Sequence, residues 1–172
     1  MASGKCRRLQ ALLPELRAQG HRVLLFSQWT SCLDILEWLL EHLGLPYCRL
    51  DGSTQVADRQ QLVNEFNAEG SELFIFLLST RAGGQGLNLT GADTVILHDV
   101  DFNPQIDRQA EDRCHRIGQV RPVKVIRMCA SGTVDENILD IATRKLSLDA
   151  AVLESGGGLW AAARSAPMTS AA

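Results

Sequence analysis

No apolar run in the 172 residues approaches the roughly 20 needed to cross a bilayer. Nor do residues 1–5 open a secretory signal, because no apolar stretch follows the first basic side chains. The five cysteines, Cys6, Cys32, Cys48, Cys114 and Cys129, are odd in number and form no C-x-x-C pair. They read as reduced thiols of an intracellular protein, not as a disulfide framework or a zinc module. A net charge of -3 excludes a uniformly basic nucleic-acid-binding domain, though not a basic patch. No internal repeat is visible. What is present is ordinary globular composition: 45% hydrophobic and 22% charged residues, with a mean hydropathy of -0.03. The length suits one domain with a sizeable core.

Hydrophobic periodicity orders that domain. Leu9, Leu12, Leu13 and Leu16 predict a helix over residues 6–19, with Pro14 inside it as a kink or a late start. Residues 22–26 predict a strand buried on both faces. Leu33, Leu36, Leu39, Leu40 and Leu43 predict a helix capped by Thr30 and closed at Gly44. A short strand at 47–50 follows, then a helix capped by Ser53 or Thr54 with Leu62, Val63 and Phe66 on its apolar face. Residues 73–78, 94–98 and 122–128 read as further strands, and 105–116 and 134–148 as helices, the last with Ile138 and Ile141 in the core. Alternation at this spacing predicts an α/β fold with a parallel sheet covered on both faces. Residues 1–150 form the domain, and 151–172, rich in Gly, Ala and Ser, read as a disordered tail.

In such sheets the working residues gather on loops at the carboxyl ends of strands. Polar clusters fall there at Ser27-Gln28-Trp29, Asp51-Gly52-Ser53-Thr54, residues 79–88 and residues 99–104. The segment Ser79-Thr80-Arg81-Ala82-Gly83-Gly84-Gln85-Gly86-Leu87-Asn88 places glycines where backbone N–H groups approach a phosphate without Cβ obstruction. It is neither G-x-G-x-x-G nor a Walker A loop, and by spacing alone it reads equally as a tight turn. In Gln109-Ala110-Glu111-Asp112-Arg113-Cys114-His115-Arg116-Ile117-Gly118-Gln119, a helix sets Gln109, Arg113 and Arg116 on one face. Arg116 has Asp112 four residues behind it, whereas Arg113 has only Gln109. An uncompensated guanidinium suits the charge of a transferring phosphate. A solvated charged helix is an equal reading. Trp29 and Phe102 read either as surfaces for stacking on a base or as packing anchors. Cys114-His115 has no second ligand pair at metal-binding spacing, so no metal is expected.

Taken in order, Val23-Leu24-Leu25-Phe26-Ser27-Gln28, Leu50-Asp51-Gly52-Ser53-Thr54, residues 78–89, Asp101-Phe102-Asn103-Pro104 and residues 109–119 resemble motifs IV to VI of SWI/SNF-type ATPases. These are superfamily-two, helicase-like DNA translocases that remodel chromatin. The resemblance covers residues 3–148 and is greatest to the SMARCAD branch. It implies a RecA-like three-layer αβα domain, the second lobe of a two-lobed engine. It implies arginine-finger roles for Arg113 and Arg116, with Gln109 and His115 supporting them. Gly84, Gly86, Asn88 and Gln109 would line the nucleotide side of the cleft. Ser27, Gln28, Arg59, Thr80 and Arg81 would lie along DNA phosphates. Phe102 stands where many relatives carry Trp, and Gln85 where they are commonly hydrophobic.

The implied cofactor is ATP with Mg²⁺, the ion being held by a first lobe. A Walker A lysine and a DE-x-H pair, which hydrolysis in the family requires, do not occur in residues 1–172. The expectation is therefore a lobe inactive alone, with a first RecA-like lobe, double-stranded DNA and nucleosomes as partners, no membrane, and a nuclear location. The alternative is a non-catalytic DNA- or protein-binding module. A Rossmann-type dinucleotide enzyme fits poorly, because the required acidic ribose ligand is missing.

Overall fold

Apolar strands that alternate with amphipathic helices need cover on both faces, and the chain provides it with one sheet between two helical layers. The computed structural model describes residues 3–83, 86–114, 119 and 121–163. In chain order the elements are α1 (Gly4–Ala18), β1 (Val23–Ser27), α2 (Thr30–His42), β2 (Tyr47–Leu50), α3 (Val56–Asn67), β3 (Ile75–Ser79), α4 (Thr80–Gly83), β4 (Thr94–Leu97), α5 (Pro104–Glu111), β5 (Lys124–Arg127) and α6 (Val134–Ala163). Every strand pair is parallel, in the order β2-β3-β1-β4-β5. The parallel α/β sheet expected from the sequence is thus present.

β1 is the central strand, and all five of its residues are buried. Its side chains alternate between two cores. Val23 and Leu25 join Leu9, Leu13, Leu33 and Leu40 of α1 and α2. Leu24 and Phe26 join Val63 and Phe66 of α3 and Ala110 of α5. Each such large apolar side chain contributes roughly 1.5–3 kcal/mol on burial, so stabilisation concentrates at the middle of the sheet. The rim is different: β2 alternates half-buried with buried residues, and β5 has no buried residue.

Local chemistry sets the element ends. The Ser3 side chain caps α1 by accepting from Cys6 N, so the helix starts earlier than residue 6 and carries Pro14 within it. α1 and α2 end alike. Gly20 and Gly44, at φ 76° and 61°, turn the chain, while His21 N reaches Leu16 O and Leu45 N reaches Leu40 O. These paired bonds satisfy carbonyls that a helix end otherwise leaves open.

Several expectations need correction. Thr30 is the first residue of α2 and not its cap; Trp29 takes that place without a side-chain bond. Neither Ser53 nor Thr54 caps α3, whose cap position is Gln55. Their hydroxyls are drawn instead to Asp51: Ser53 Oγ donates to Asp51 Oδ1 at 2.6 Å, and Thr54 Oγ1 accepts from Asp51 N at 3.1 Å. α5 stops at Glu111, short of the expected 116. Arg113 N bonds back three residues to Ala110 O, and its own carbonyl is taken by Leu89 N. On α6, Ile138 is half-buried and Ile141 is 40% exposed, so neither is core; Ala142 is the buried residue. α6 itself runs past residue 150.

Candidate functional site

The chain order makes β1 the switch point of the sheet. The helix that follows β1 packs on one face, whereas the segments that follow β3 and β4 pack on the other. In open parallel sheets the ligand crevice lies at the carboxyl ends of the strands around such a point. Register places Ser27 of β1 beside Ser79 of β3, which brings Gln28 and Thr80 to adjacent strand ends.

Asp99, just past β4, organises the β1 side of the crevice. Its Oδ2 accepts from Ser27 Oγ at 2.5 Å and from Gln28 N at 3.2 Å. Gln28 Nε2 donates to Val100 O at 3.1 Å, so the first loop is tied to the β4 loop twice over. Asp99 Oδ1 lies 2.9 Å from His98 Nδ1, and Cys32 Sγ lies 3.4 Å from the same nitrogen. Burial lowers the pKa of His98, but bonds from Asp99 and Cys32 outweigh that and hold it up at about 9. For Asp99 burial raises the pKa, and bonds from His98 and Ser27 bring it down to about 2. The two form a charged pair at neutral pH. Lys5 Nζ closes the group from α1, donating to His98 O at 2.8 Å and pairing with Asp135 of α6 at 2.7 Å.

The β3 side carries the glycine segment. Ser79 Oγ accepts from Ala82 N at 3.2 Å, closing the short α4 turn, and leaves Thr80 half-buried and Arg81 exposed. Gly84 lies outside the described residues. Gly86 has φ 75°, a conformation that L side chains rarely adopt, and an added Cβ there would meet nothing within 4 Å. Asn88 is exposed, its carbonyl held by Asn67 Nδ2 at 2.7 Å. Next along, Leu89 N donates to Arg113 O at 3.1 Å. The glycine loop and the arginine turn are therefore joined through the backbone.

Gln109 is exposed on α5. Arg113 is not: it is 6% exposed, and its Nε donates to Gln109 O at 3.1 Å. The expected helical face shared by Gln109 and Arg113 is thus corrected at Arg113, because α5 ends at Glu111 and the side chain is buried. His115 and Arg116 lie outside the described residues. Arg59 is half-buried on α3, with Nε donating to Thr54 O at 3.1 Å. Trp29 and Phe102 are 66% and 49% exposed. Ser27, by contrast, is fully buried against Asp99 and serves the loop's geometry before any ligand.

Asp99 stands in the polar cluster 99–104 that the sequence marks, whereas His98, Cys32 and Lys5 were not singled out by motif spacing. The available signal was a histidine and an aspartate directly after an apolar run, where a buried strand meets an edge.

An all-parallel sheet with polar loops at its carboxyl edge and a glycine segment fastened to an arginine turn is the architecture of a helicase lobe. The chain belongs to the helicase conserved C-terminal domain family, which matches residues 4–118. It is 70% identical over 156 residues to Protein CHROMATIN REMODELING 19 of Arabidopsis thaliana, covering 91% of this chain and 20% of that protein. It is 54% identical over 147 residues to the human SWI/SNF-related matrix-associated actin-dependent regulator of chromatin subfamily A containing DEAD/H box 1, covering 86% of this chain and 14% of that one. Among solved structures, the C-terminal part of the Fun30 ATPase domain superposes with a TM-score of 0.79 at 45% identity, covering 83% of this chain and 46% of that chain. The lobe is therefore RecA-like and of the SWI/SNF chromatin-remodeller type, as its motifs imply. It spans a fifth or less of the length of these two curated relatives.

Proposed function

We propose that this lobe works as the second half of an ATP-dependent DNA translocase that moves nucleosomes in the nucleus. In this reading ATP with Mg²⁺ sits between this lobe and a first RecA-like lobe, which holds the metal. The observation that carries it is the Leu89 N to Arg113 O bond, which fastens the glycine loop to the arginine turn so that both answer to one nucleotide. The residues fit such a half-site. Gly86 has open space where a Cβ would stand, and Asn88 and Gln109 are exposed to meet ribose or phosphate. Arg116 serves as the arginine finger. Arg113, folded back on Gln109, anchors the turn and reaches the γ-phosphate only if its side chain swings outward. ATP and its metal supply the phosphoryl chemistry; this chain's part is to position and neutralise.

The DNA track runs over the neighbouring loops. Arg81 is exposed at the end of β3, with Thr80 and Gln28 beside it and Arg59 on α3. These residue types hold phosphates in register without reading sequence. Nothing in the reading needs strand separation.

The deciding experiment is Arg116→Ala in the two-lobed protein, assayed for DNA-stimulated ATP hydrolysis. Loss of a trans-acting finger lowers turnover by about 10³–10⁵-fold in other phosphoryl-transfer enzymes, and a drop of that order is expected with ATP binding retained. Unchanged turnover would remove the finger assignment.

A further inference from the structure

Three potential metal ligands meet at the end of β4 from two separate parts of the chain. Cys32 comes from the first turn of α2, and His98 and Asp99 follow β4. Their ligand atoms all lie within 4.8 Å of one another. Sulfur, imidazole nitrogen and carboxylate oxygen together make a borderline-soft donor set, suited to Zn²⁺ and unsuited to Mg²⁺ or Ca²⁺. A tetrahedral Zn²⁺ with ordinary bond lengths separates sulfur from nitrogen by about 3.6 Å and nitrogen from oxygen by about 3.4 Å. The observed separations are 3.4 Å from Cys32 Sγ to His98 Nδ1 and 2.9 Å from His98 Nδ1 to Asp99 Oδ1. These two edges need only a few tenths of an ångström of expansion. The Cys32 side closes by rotation of an unbranched side chain.

The surroundings prepare two of the ligands. Asp99 offers Oδ1 to the cluster because Oδ2 is already fixed by Ser27 Oγ and Gln28 N. Metal-ligating carboxylates are commonly fixed in this way through their second oxygen. His98 Nε2 is enclosed by protein with no hydrogen-bond partner among the described residues, which leaves Nδ1 as the ligating nitrogen. His98 is held in place through its backbone, N donating to Phe26 O and O accepting from Lys5 Nζ. Cys32 is half-buried, so a water or an incoming ligand can reach the fourth position.

We propose that Cys32 Sγ, His98 Nδ1 and Asp99 Oδ1 form a Zn²⁺ site that pins the start of α2 to the end of β4. Binding releases the thiol proton and the proton held between His98 and Asp99. The ion braces the loop bearing Ser27 and Gln28. The inference does not depend on the ATPase reading.

Co²⁺ is the probe, titrated into the reduced chain. The expected result is one Co²⁺ per chain with a thiolate-to-cobalt charge-transfer band and tetrahedral d–d absorption. Cys32→Ser abolishes the charge-transfer band, and Asp99→Asn weakens binding at least tenfold. Cys6→Ser and Cys129→Ser, at the other half-buried thiols, leave both unchanged. Zn²⁺ displaces Co²⁺ and, at a hundredfold excess over Kd, raises Tm by about 5–10 °C. Circular dichroism of each variant separates a lost ligand from a lost fold. Absence of the band in the wild-type chain, or a band that survives Cys32→Ser, overturns the site.

Discussion

The two edges of the sheet use the same device, an aspartate that gathers neighbouring segments at the strand ends, buried at one edge and half-buried at the other, with opposite results. At the amino edge Asp93, 5% exposed, is enclosed by the chain itself. Its carboxylate accepts from Arg22 N, Thr94 Oγ1 and Arg121 Nη1 and lies 3.1 Å from His21 Nδ1. Beside it the Arg22 guanidinium stacks on Phe66 at 4.2 Å and donates to the carbonyls of Leu73 and Phe66. Polar groups there are spent on closure. At the carboxyl edge Asp99 also gathers two loops, yet Arg81, Trp29 and Phe102 on the strand-end segments remain exposed. A cavity of about 440 Å³ does lie at the amino edge, lined in part by Arg22, Asn67, Gly91 and Arg121. Its arginines already have protein partners, so its size is no sign of function. Which edge works is decided by where polar groups are left facing outward.

The comparison breaks most sharply at Asp93. Asp93→Asn takes a charged acceptor from Arg22 N, Thr94 Oγ1 and His21 at a buried carboxylate and should cost about 3 kcal/mol in urea unfolding. A loss below about 1 kcal/mol would mean that this edge is not closed by the carboxylate. Asp99→Asn should cost less, about 1–3 kcal/mol, because its partners border solvent. It should also speed amide exchange at Gln28 N, a change the Asp93 variant leaves alone.

pH separates the edges further. His98 rises from 6.5 to about 9 on folding, so its stabilisation is full below pH 6.5 and is lost as pH climbs through 9. Asp99 falls from 3.8 to about 2, so its share is present above pH 3.8 and is lost as pH drops through 2. The pair therefore contributes fully between these limits, and stability should decline by on the order of 1–2 kcal/mol from pH 6.5 to 9. In His98→Gln that alkaline decline should flatten. Asp93, also lowered because bonds from His21, Arg22 and Arg121 outweigh its burial, acts only on the acid side. The smallest effect belongs to Arg121→Ala. Its side chain is 61% exposed, so loss of the pair with Asp93 should cost under about 1 kcal/mol.

Much of the sheet was legible because its strands are buried on both faces and write themselves as continuous apolar runs; β2 was located to the residue. Strand order was not, since nothing local says that β3 inserts between β2 and β1. Caps were misread where a local partner competed: Ser53 and Thr54 are good capping residues, but the Asp51 carboxylate accepts from Ser53 and the Asp51 N–H donates to Thr54. The end of α5 was misread because the Leu89 bond to Arg113 O comes from a different segment. At the site, the loop residues Ser27, Gln28, Thr80 and Arg81 were legible from their place after apolar runs. The cluster of Cys32, His98 and Asp99 was not. Cys32 and His98 lie 66 positions apart, beyond any local pattern.

Lys5 has a mechanical consequence. One ammonium group fastens the first turn of α1, the first turn of α6 and the backbone of His98 at a single point. α6 is 30 residues long, which at 1.5 Å per residue makes an arm of about 45 Å. A second tie, Lys145 Nζ to Phe102 O at 3.0 Å, holds the same helix to the loop after β4, so tilting α6 strains that loop at two points.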